Sequence, residues 1–131
     1  MGDKKLSLNI LTPESTLFEG EVEKVIVPAS DGELGVLPKH APLVTLLGLG
    51  ELRATVNGKV DRYALFGGFM RVSGDLVSVL AEAAEPVDKI DRQHAESELA
   101  RIKGTPPGKR TEEDLAAMSR CRIRLKIAAR A

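Results

Sequence analysis

The residue pattern changes at Pro86 from a period of two to a helical period, and this change limits the possible folds more than any other feature. Before Pro86, apolar and polar residues alternate, as over residues 6–10, and Gly, Pro and Asn turn signals recur throughout. After Pro86, apolar residues recur at the spacing of one helix face. The sequence therefore predicts a β module over residues 1–86 and a helical module over residues 87–131.

Turn signals divide the β module into about eight or nine short strands. The pair Asn57-Gly58 is the strongest of these signals, because it favours a two-residue hairpin turn. A strand over residues 21–27 is expected to end at Pro28, which has no backbone N–H to donate. This rhythm of short strands predicts an antiparallel β-sandwich or barrel. Further strand breaks are expected at Gly48, Gly50, Gly67 and Gly68.

The helical module contains two start signals and one break. Asp88 or Asp91 can cap a first helix that runs to about Lys103. Residues 104–108 read Gly-Thr-Pro-Pro-Gly, which cannot continue a helix and predicts a tight connection. Thr111 then caps a second helix whose first turn is acidic, as the helix dipole favours. The overall expectation is an α+β chain, a β-sandwich followed by a two-helix (αα) hairpin.

The formal net charge of zero conceals two modules of opposite sign. Residues 1–86 carry 8 basic and 12 acidic side chains, whereas residues 87–131 carry 11 and 7. The aromatic fraction is only 3%, which is little material for the stacking platforms of single-stranded nucleic-acid binders. An acidic β module would also repel a phosphate backbone. These two observations argue against a stand-alone binding module with a cationic helical tail for nucleic acid, which we keep as an alternative hypothesis.

The chain lacks the residue patterns that catalysis requires. Its two histidines, His40 and His94, fall in different modules and share no metal-ligand spacing. No Gly-x-Ser-x-Gly nucleophile elbow occurs. No apolar run approaches the ~20 residues that span a bilayer, and residues 1–5 are not followed by a signal segment. We therefore expect a soluble, noncatalytic protein without a metal site that reaches a membrane only through partners.

One segment carries a more specific signal. Residues 25–42 read VIVPASDGELGVLPKHAP, and spacing alone would indicate only two strands joined by Gly and Pro turns. As a string, however, this segment closely resembles the bacterial type of epsilon subunit of the rotary F-type ATP synthase. The resemblance continues at residues 48–50, 66–69 and 77–82 and extends through the hairpin. It therefore covers essentially the whole chain.

The resemblance implies a role for the β module. In the family, the sandwich sits at the foot of the central stalk and couples the gamma subunit to the ring of c subunits. The turn formed by Asp31, Gly32 and Glu33 matches the part that faces the c ring, and His40 matches a residue near gamma. The chain is thus expected to be a noncatalytic rotor subunit of a proton-translocating synthase, peripheral to the cytoplasmic face of the bacterial inner membrane and without a nucleic-acid partner.

For the hairpin, the resemblance implies inhibition of ATP hydrolysis. In bacterial members it either folds on the sandwich or extends along gamma toward the alpha and beta subunits. Basic residues of the last helix then face acidic segments of the catalytic ring. The matching basic residues here are Arg120, Arg122, Arg124, Lys126 and Arg130.

Some bacterial members also bind ATP, with magnesium, through an Ile-Asp-x-x-Arg-Ala motif on the first helix. This chain has His94 where the motif has Arg, and a neutral imidazole holds a phosphate less strongly than a guanidinium. The resemblance therefore implies weak regulatory ATP binding and no required cofactor. The candidate ATP-binding residues are Glu85, Ile90, Asp91, His94, Arg101 and Arg124.

Overall fold

The computed structural model describes residues 5–130, and the chain divides into two compact units, Met1–Pro86 and Val87–Ala131. The expectation that no signal segment follows residues 1–5 concerns a part of the chain of which residues 1–4 lie outside the described residues. Within the described residues, the first unit contains eight strands: β1 (Leu6–Leu11), β2 (Thr16–Val22), β3 (Lys24–Ala29), β4 (Gly32–Val36), β5 (Leu43–Val56), β6 (Lys59–Ser73), β7 (Leu76–Ala81) and β8 (Ala84–Pro86).

The strands of the first unit form one continuous sheet in the order β2-β1-β7-β6-β5-β3-β4, with β8 added beside β6. Alternate side chains from seven of these strands meet in a single buried cluster, so the sheet wraps around one core. The predicted β-sandwich is confirmed, with one difference. β1 and β7 run parallel, because most of the unit lies between them in sequence and they are not joined by a hairpin. The other pairs are antiparallel.

The segment around residue 23 differs from the expected single strand over residues 21–27. It contains the end of β2 and the start of β3, which meet at Glu23. The strand β2 was missed because Val22 is its only fully buried residue and its alternation is weak. Pro28 does not end β3 but lies inside it, where the pairing with β5 is irregular. A proline is tolerated at such a place because no ladder hydrogen bond needs its N–H.

The glycines expected to break strands lie inside the two long strands instead. β5 continues through Gly48 and Gly50, and β6 continues through Gly67 and Gly68, so that β5 and β6 form one long hairpin. Gly67 and Gly68 have φ values of 85° and 123°. This backbone reverses the alternation of β6: the side chains that face the core are odd-numbered before the glycines and even-numbered after them. The predicted Asn57-Gly58 turn joins β5 to β6.

The second unit begins with a single 3-10 turn at Val87–Lys89 and then forms two helices, α1 (Arg92–Lys103) and α2 (Glu112–Ala129). Asp91 caps α1 by accepting a hydrogen bond from the backbone N–H of His94 at 2.9 Å. Thr111 and Asp114 form a reciprocal capping box at the start of α2. The two helices pack against each other as the predicted hairpin.

Each helix of the hairpin was expected to bury the apolar residues of one face, and the structure agrees with this only in part. Ala95 and Ile102 of α1 are buried, as expected, and so are Met118 and Cys121 of α2. At ~100° per residue, Ala116, Ile123 and Ile127 of α2 are expected to form a second, narrower apolar strip beside the basic residues. Ile127 is nonetheless only 2% exposed, so this strip is not exposed along its full length.

Candidate functional site

Four apolar side chains form a row across the solvent-facing side of four adjacent strands, and we call this set the apolar row. Leu46 of β5 lies opposite Phe69 of β6, which lies opposite Leu80 of β7. Leu80 in turn lies opposite Leu11 of β1. Leu46 is 67% exposed and Phe69 is 42% exposed, and none of the four belongs to the core cluster. A continuous exposed row of this kind is typical of a protein–protein contact.

A groove of about 450 Å³ runs along the apolar row. Thr12, Pro13 and Glu82 line it together with the four apolar side chains. Sequence reasoning missed this site, because an apolar side chain on the outer face of a strand reads like one more core residue. The exchange of faces at Gly67 and Gly68, which places Phe69 outside and Met70 inside, could be found only in the structure.

The turn between β3 and β4 contains the three residues matched to a c-ring contact. Gly32 has a φ of 135°, a backbone conformation that favours glycine. Asp31 is exposed. Glu33, at the start of β4, is bound by both terminal nitrogens of Arg53, at 3.1 and 3.2 Å. The two carboxylates of the turn therefore differ, since that of Glu33 has a bidentate partner within the protein.

Arg53 belongs to a chain of ion pairs that crosses β4, β5 and β6, and we call it the ion-pair chain. Arg53 also donates to Glu51 at 3.1 Å, and Arg62 binds the second carboxylate oxygen of Glu51. Among the described residues Glu51 is the one charged side chain that is buried. Hydrogen bonds to Glu33 and then to Glu51 raise the pKa of Arg53. The sequence did not predict the ion-pair chain, because Glu33 and Arg53 are far apart in the sequence.

His40 lies in the loop between β4 and β5. Its Nδ1 atom lies 2.7 Å from the carbonyl oxygen of Ala41. The preceding residue, Lys39, has a positive φ of 68°, and its backbone N–H donates to the Asp75 carboxylate at 3.0 Å. Asp75 also accepts a hydrogen bond from the N–H of Ser7 through its backbone carbonyl. The loop that carries His40 is thus tied to the β6–β7 turn by a contact that the sequence did not reveal.

A cleft of about 300 Å³ opens between the two helices of the hairpin. Of the residues matched to ATP binding, the structure brings together His94, Arg101 and Arg124 in this cleft. Ile90 and Asp91 precede α1, where Asp91 acts as its cap, and Glu85 belongs to β8 of the first unit. The cleft is also lined by Glu98, Glu113, Asp114, Ala117, Arg120 and Cys121.

Acidic side chains in the cleft occupy one of its arginines. Arg101 binds Glu98 at 2.8 Å and Asp114 at 3.3 Å. The hydrogen bond from Arg101 lowers the pKa of Glu98. The hydrogen bond from the Thr111 backbone, followed by that from Arg101, lowers the pKa of Asp114. A phosphate entering this cleft would compete with both carboxylates for Arg101.

The five basic residues matched to inhibition have different surroundings. Arg120 pairs with Glu113 at 3.1 Å, and Arg124 is half-buried at the cleft. The other three are exposed and lie at intervals of four residues, two on α2 and one directly after it: Arg122, Lys126 and Arg130. We call these three the basic stripe.

Two further observations concern membranes and metals. No helix formed by residues 5–130 has the length and apolar character required to cross a bilayer. Over the same residues, no group of three His, Cys, Asp or Glu side chains is arranged to hold a metal ion.

The fold is thus of the class in which a β-sandwich, here with an exposed apolar row, is followed by a helical hairpin. Residues 5–87 match the family model of the ATP synthase delta/epsilon chain β-sandwich domain. The chain belongs to this family of ATP synthase subunits. Proteins named ATP synthase epsilon chain are noncatalytic subunits of that complex.

The similarity extends beyond the sandwich. The epsilon chain of Desulforamulus reducens is 43% identical over 112 residues, which cover 86% of this chain and 85% of the relative. That of Herpetosiphon aurantiacus is 38% identical over 127 residues, covering 94% and 93%. A chain in the cryo-EM structure of the Euglena gracilis mitochondrial ATP synthase (OSCP, F1 and c ring) has a TM-score of 0.71 at 25% identity, covering 95% of this chain and 78% of that one.

Proposed function

We propose that this protein is a central-stalk subunit of a proton-translocating ATP synthase that couples the gamma subunit to the c ring. In this proposal the apolar row and the loop that carries His40 bind gamma, and the turn at Asp31, Gly32 and Glu33 faces the c ring. Membership of the family supports the proposal that this protein is a subunit of ATP synthase. The similar Euglena gracilis chain comes from an assembly that contains F1 and the c ring. The two relatives described above are bacterial, which supports a place at the cytoplasmic face of the inner membrane.

The apolar row is the observation that carries the proposal. Four opposed apolar side chains on neighbouring strands remain on the outside of the sandwich. Burying them against a partner removes apolar surface from water, a gain of roughly 25 cal/mol for each Å² that offsets the entropic cost of association. A rotor subunit needs such a passive, persistent contact and needs no reacting groups.

Replacing Phe69 tests this contact. Phe69→Gln should weaken binding to purified gamma subunit by about tenfold or more, because an aromatic side chain in the middle of an interface typically dominates its affinity. Val60→Gln is the matched control, since Val60 is 51% exposed but lies at the other end of β6 from Phe69, beside the Asn57-Gly58 turn. Equal binding by both variants would contradict the assignment of the row.

We further propose that the hairpin inhibits ATP hydrolysis by extending toward the alpha and beta subunits. The exposed basic stripe supports this, because three cations on one side of a helix suit an acidic partner surface. Deleting residues 87–131 should raise the ATPase activity of the reconstituted complex while the β unit still assembles. Unchanged activity in an assembled complex would contradict inhibition and leave the coupling proposal intact.

Regulatory ATP, with magnesium, is proposed as a weak ligand of the cleft between the helices. Arg101 and Arg124 supply the positive charge and His94 supplies a ring N–H, but Glu98 and Asp114 already bind Arg101. Titration calorimetry should give binding only at millimolar ATP, and His94→Arg should strengthen it. Absence of heat for both proteins would remove the site.

A further inference from the structure

The ion pair between Glu33 and Arg53 connects an edge strand with the interior of the sheet. β4 is the last strand in the sheet order, and within the described residues its backbone partner is β3. Arg53 lies on β5, on the far side of β3, and binds both carboxylate oxygens of Glu33. This contact therefore holds the first residues of β4, and the turn that precedes them, in addition to backbone pairing.

Arg53 is itself held in place by a second carboxylate. It donates to Glu51, which is only 5% exposed and is also bound by Arg62. A buried carboxylate is strongly destabilised when it loses a cationic partner. The Arg53 guanidinium therefore stays beside Glu51, and Glu33 is bound to a fixed point rather than to a mobile surface side chain.

We propose that Arg53 is a positioning residue for the turn between β3 and β4: it draws Glu33 back against β5, so that Asp31 is the carboxylate that the turn presents to the c ring. This inference rests on the proposed function of that turn. The exposed turn then offers one negative charge instead of two, which suits a partner surface with a single cation or a few hydrogen-bond donors.

The test measures binding of the full-length protein to a complex of gamma subunit and c ring from the same host. Arg53→Gln and Glu33→Gln each remove the ion pair, and Glu33→Gln also removes the carboxylate. If Arg53 positions the turn, both variants should weaken binding roughly three- to tenfold, and the double variant should be no weaker than either single one. Lys59→Gln, at an exposed position of β6, is the charge-matched control and should bind like the wild type.

Two further measurements separate positioning from a general loss of stability. Amide hydrogen exchange at residues 31–34 should become faster in Arg53→Gln, while exchange in β1 should not change. Arg53→Lys keeps the charge but cannot hold Glu33 through two nitrogens and Glu51 at once, so its binding should lie between those of the wild type and Arg53→Gln.

The outcomes distinguish this inference from the proposed function. If the wild type does not bind the complex, the proposed function is wrong, and the inference with it. If the wild type binds and Arg53→Gln binds equally well, only the inference is overturned. Weaker binding by Glu33→Gln alone would mean that Glu33 touches the partner directly, which also overturns it.

Discussion

Gly68 shows how a single residue determines which side chains of β6 join the apolar row. A Cβ atom at this position would lie 2.2 Å from the carbonyl oxygen of Leu80, and the φ of Gly68 is 123°. The backbone of β7 cannot move away without disturbing its pairing with β6. We therefore expect Gly68→Ala to lower the free energy of unfolding by about 3 kcal/mol or more, measured by urea unfolding.

Gly35 provides the control for this prediction. It also lies in a strand, β4, but a Cβ there would meet nothing within 4 Å. Gly35→Ala should therefore change the free energy of unfolding by less than about 1 kcal/mol. If both substitutions lowered the free energy of unfolding equally, the close approach of β6 and β7 would not explain why residue 68 is glycine.

At the scale of an element, Arg110 completes the end of α1. Its guanidinium donates to the carbonyl oxygens of Ile102, Thr105 and Lys103 at 3.0–3.3 Å. The last carbonyls of a helix lack partners within it, so Arg110→Met should destabilise this end by about 1–2 kcal/mol. Faster amide exchange over residues 102–105 would reveal the change. Lys109→Met, next to it and exposed, should leave exchange there unaltered.

The start of α2 should respond to acid. Hydrogen bonds from Thr111 and Arg101 hold the pKa of Asp114 below its usual range, and so its charged form stabilises the folded hairpin. A lowered folded-state pKa means that this contribution is present above the unfolded pKa, near 4. It is lost as the pH falls through the folded value. Protection of the α2 amides from exchange should therefore decrease below about pH 4.

Asp114→Asn isolates this acid response. The variant should show faster exchange already at pH 6 and a weaker change on acidification, because it has no carboxylate to titrate at that position. Glu112→Gln, an exposed change in the same first turn, should retain the wild-type acid response. A full response in Asp114→Asn would assign the effect to other carboxylates.

At the scale of the whole molecule, the features that sequence predicted are those that depend on local chemistry. The Asn57-Gly58 turn and the caps Asp91 and Thr111 each involve neighbouring residues, and all three were confirmed. The ion-pair chain and the apolar row depend on which strands become neighbours and which face of a strand turns inward. A single sequence does not contain that information, and the resemblance of the turn at Asp31–Glu33 to a family motif gave no sign of the bond from Arg53.

The charge distribution of the whole chain leads to the last prediction. The basic stripe consists of Arg122 and Lys126 on α2 and Arg130 directly after it, and all three are exposed. Arg120 is only partly exposed and pairs with Glu113. If inhibition depends on cations meeting an acidic surface of the catalytic ring, replacing the stripe with glutamines should raise ATPase activity of the reconstituted complex at least about threefold. Added salt should also raise the ATPase activity of the wild-type complex, because it screens exposed charges.

A charge-matched control decides whether position or net charge matters. A second triple variant neutralises three exposed basic residues outside α2, namely Arg92, Lys103 and Lys109. It changes the net charge of the protein by the same amount, so it should inhibit like the wild type if the stripe itself makes the contact. Equal activation by both variants would mean that only the overall positive charge of the hairpin counts. If neither triple variant activates the complex but the deletion of residues 87–131 does, other residues of the hairpin cause the inhibition.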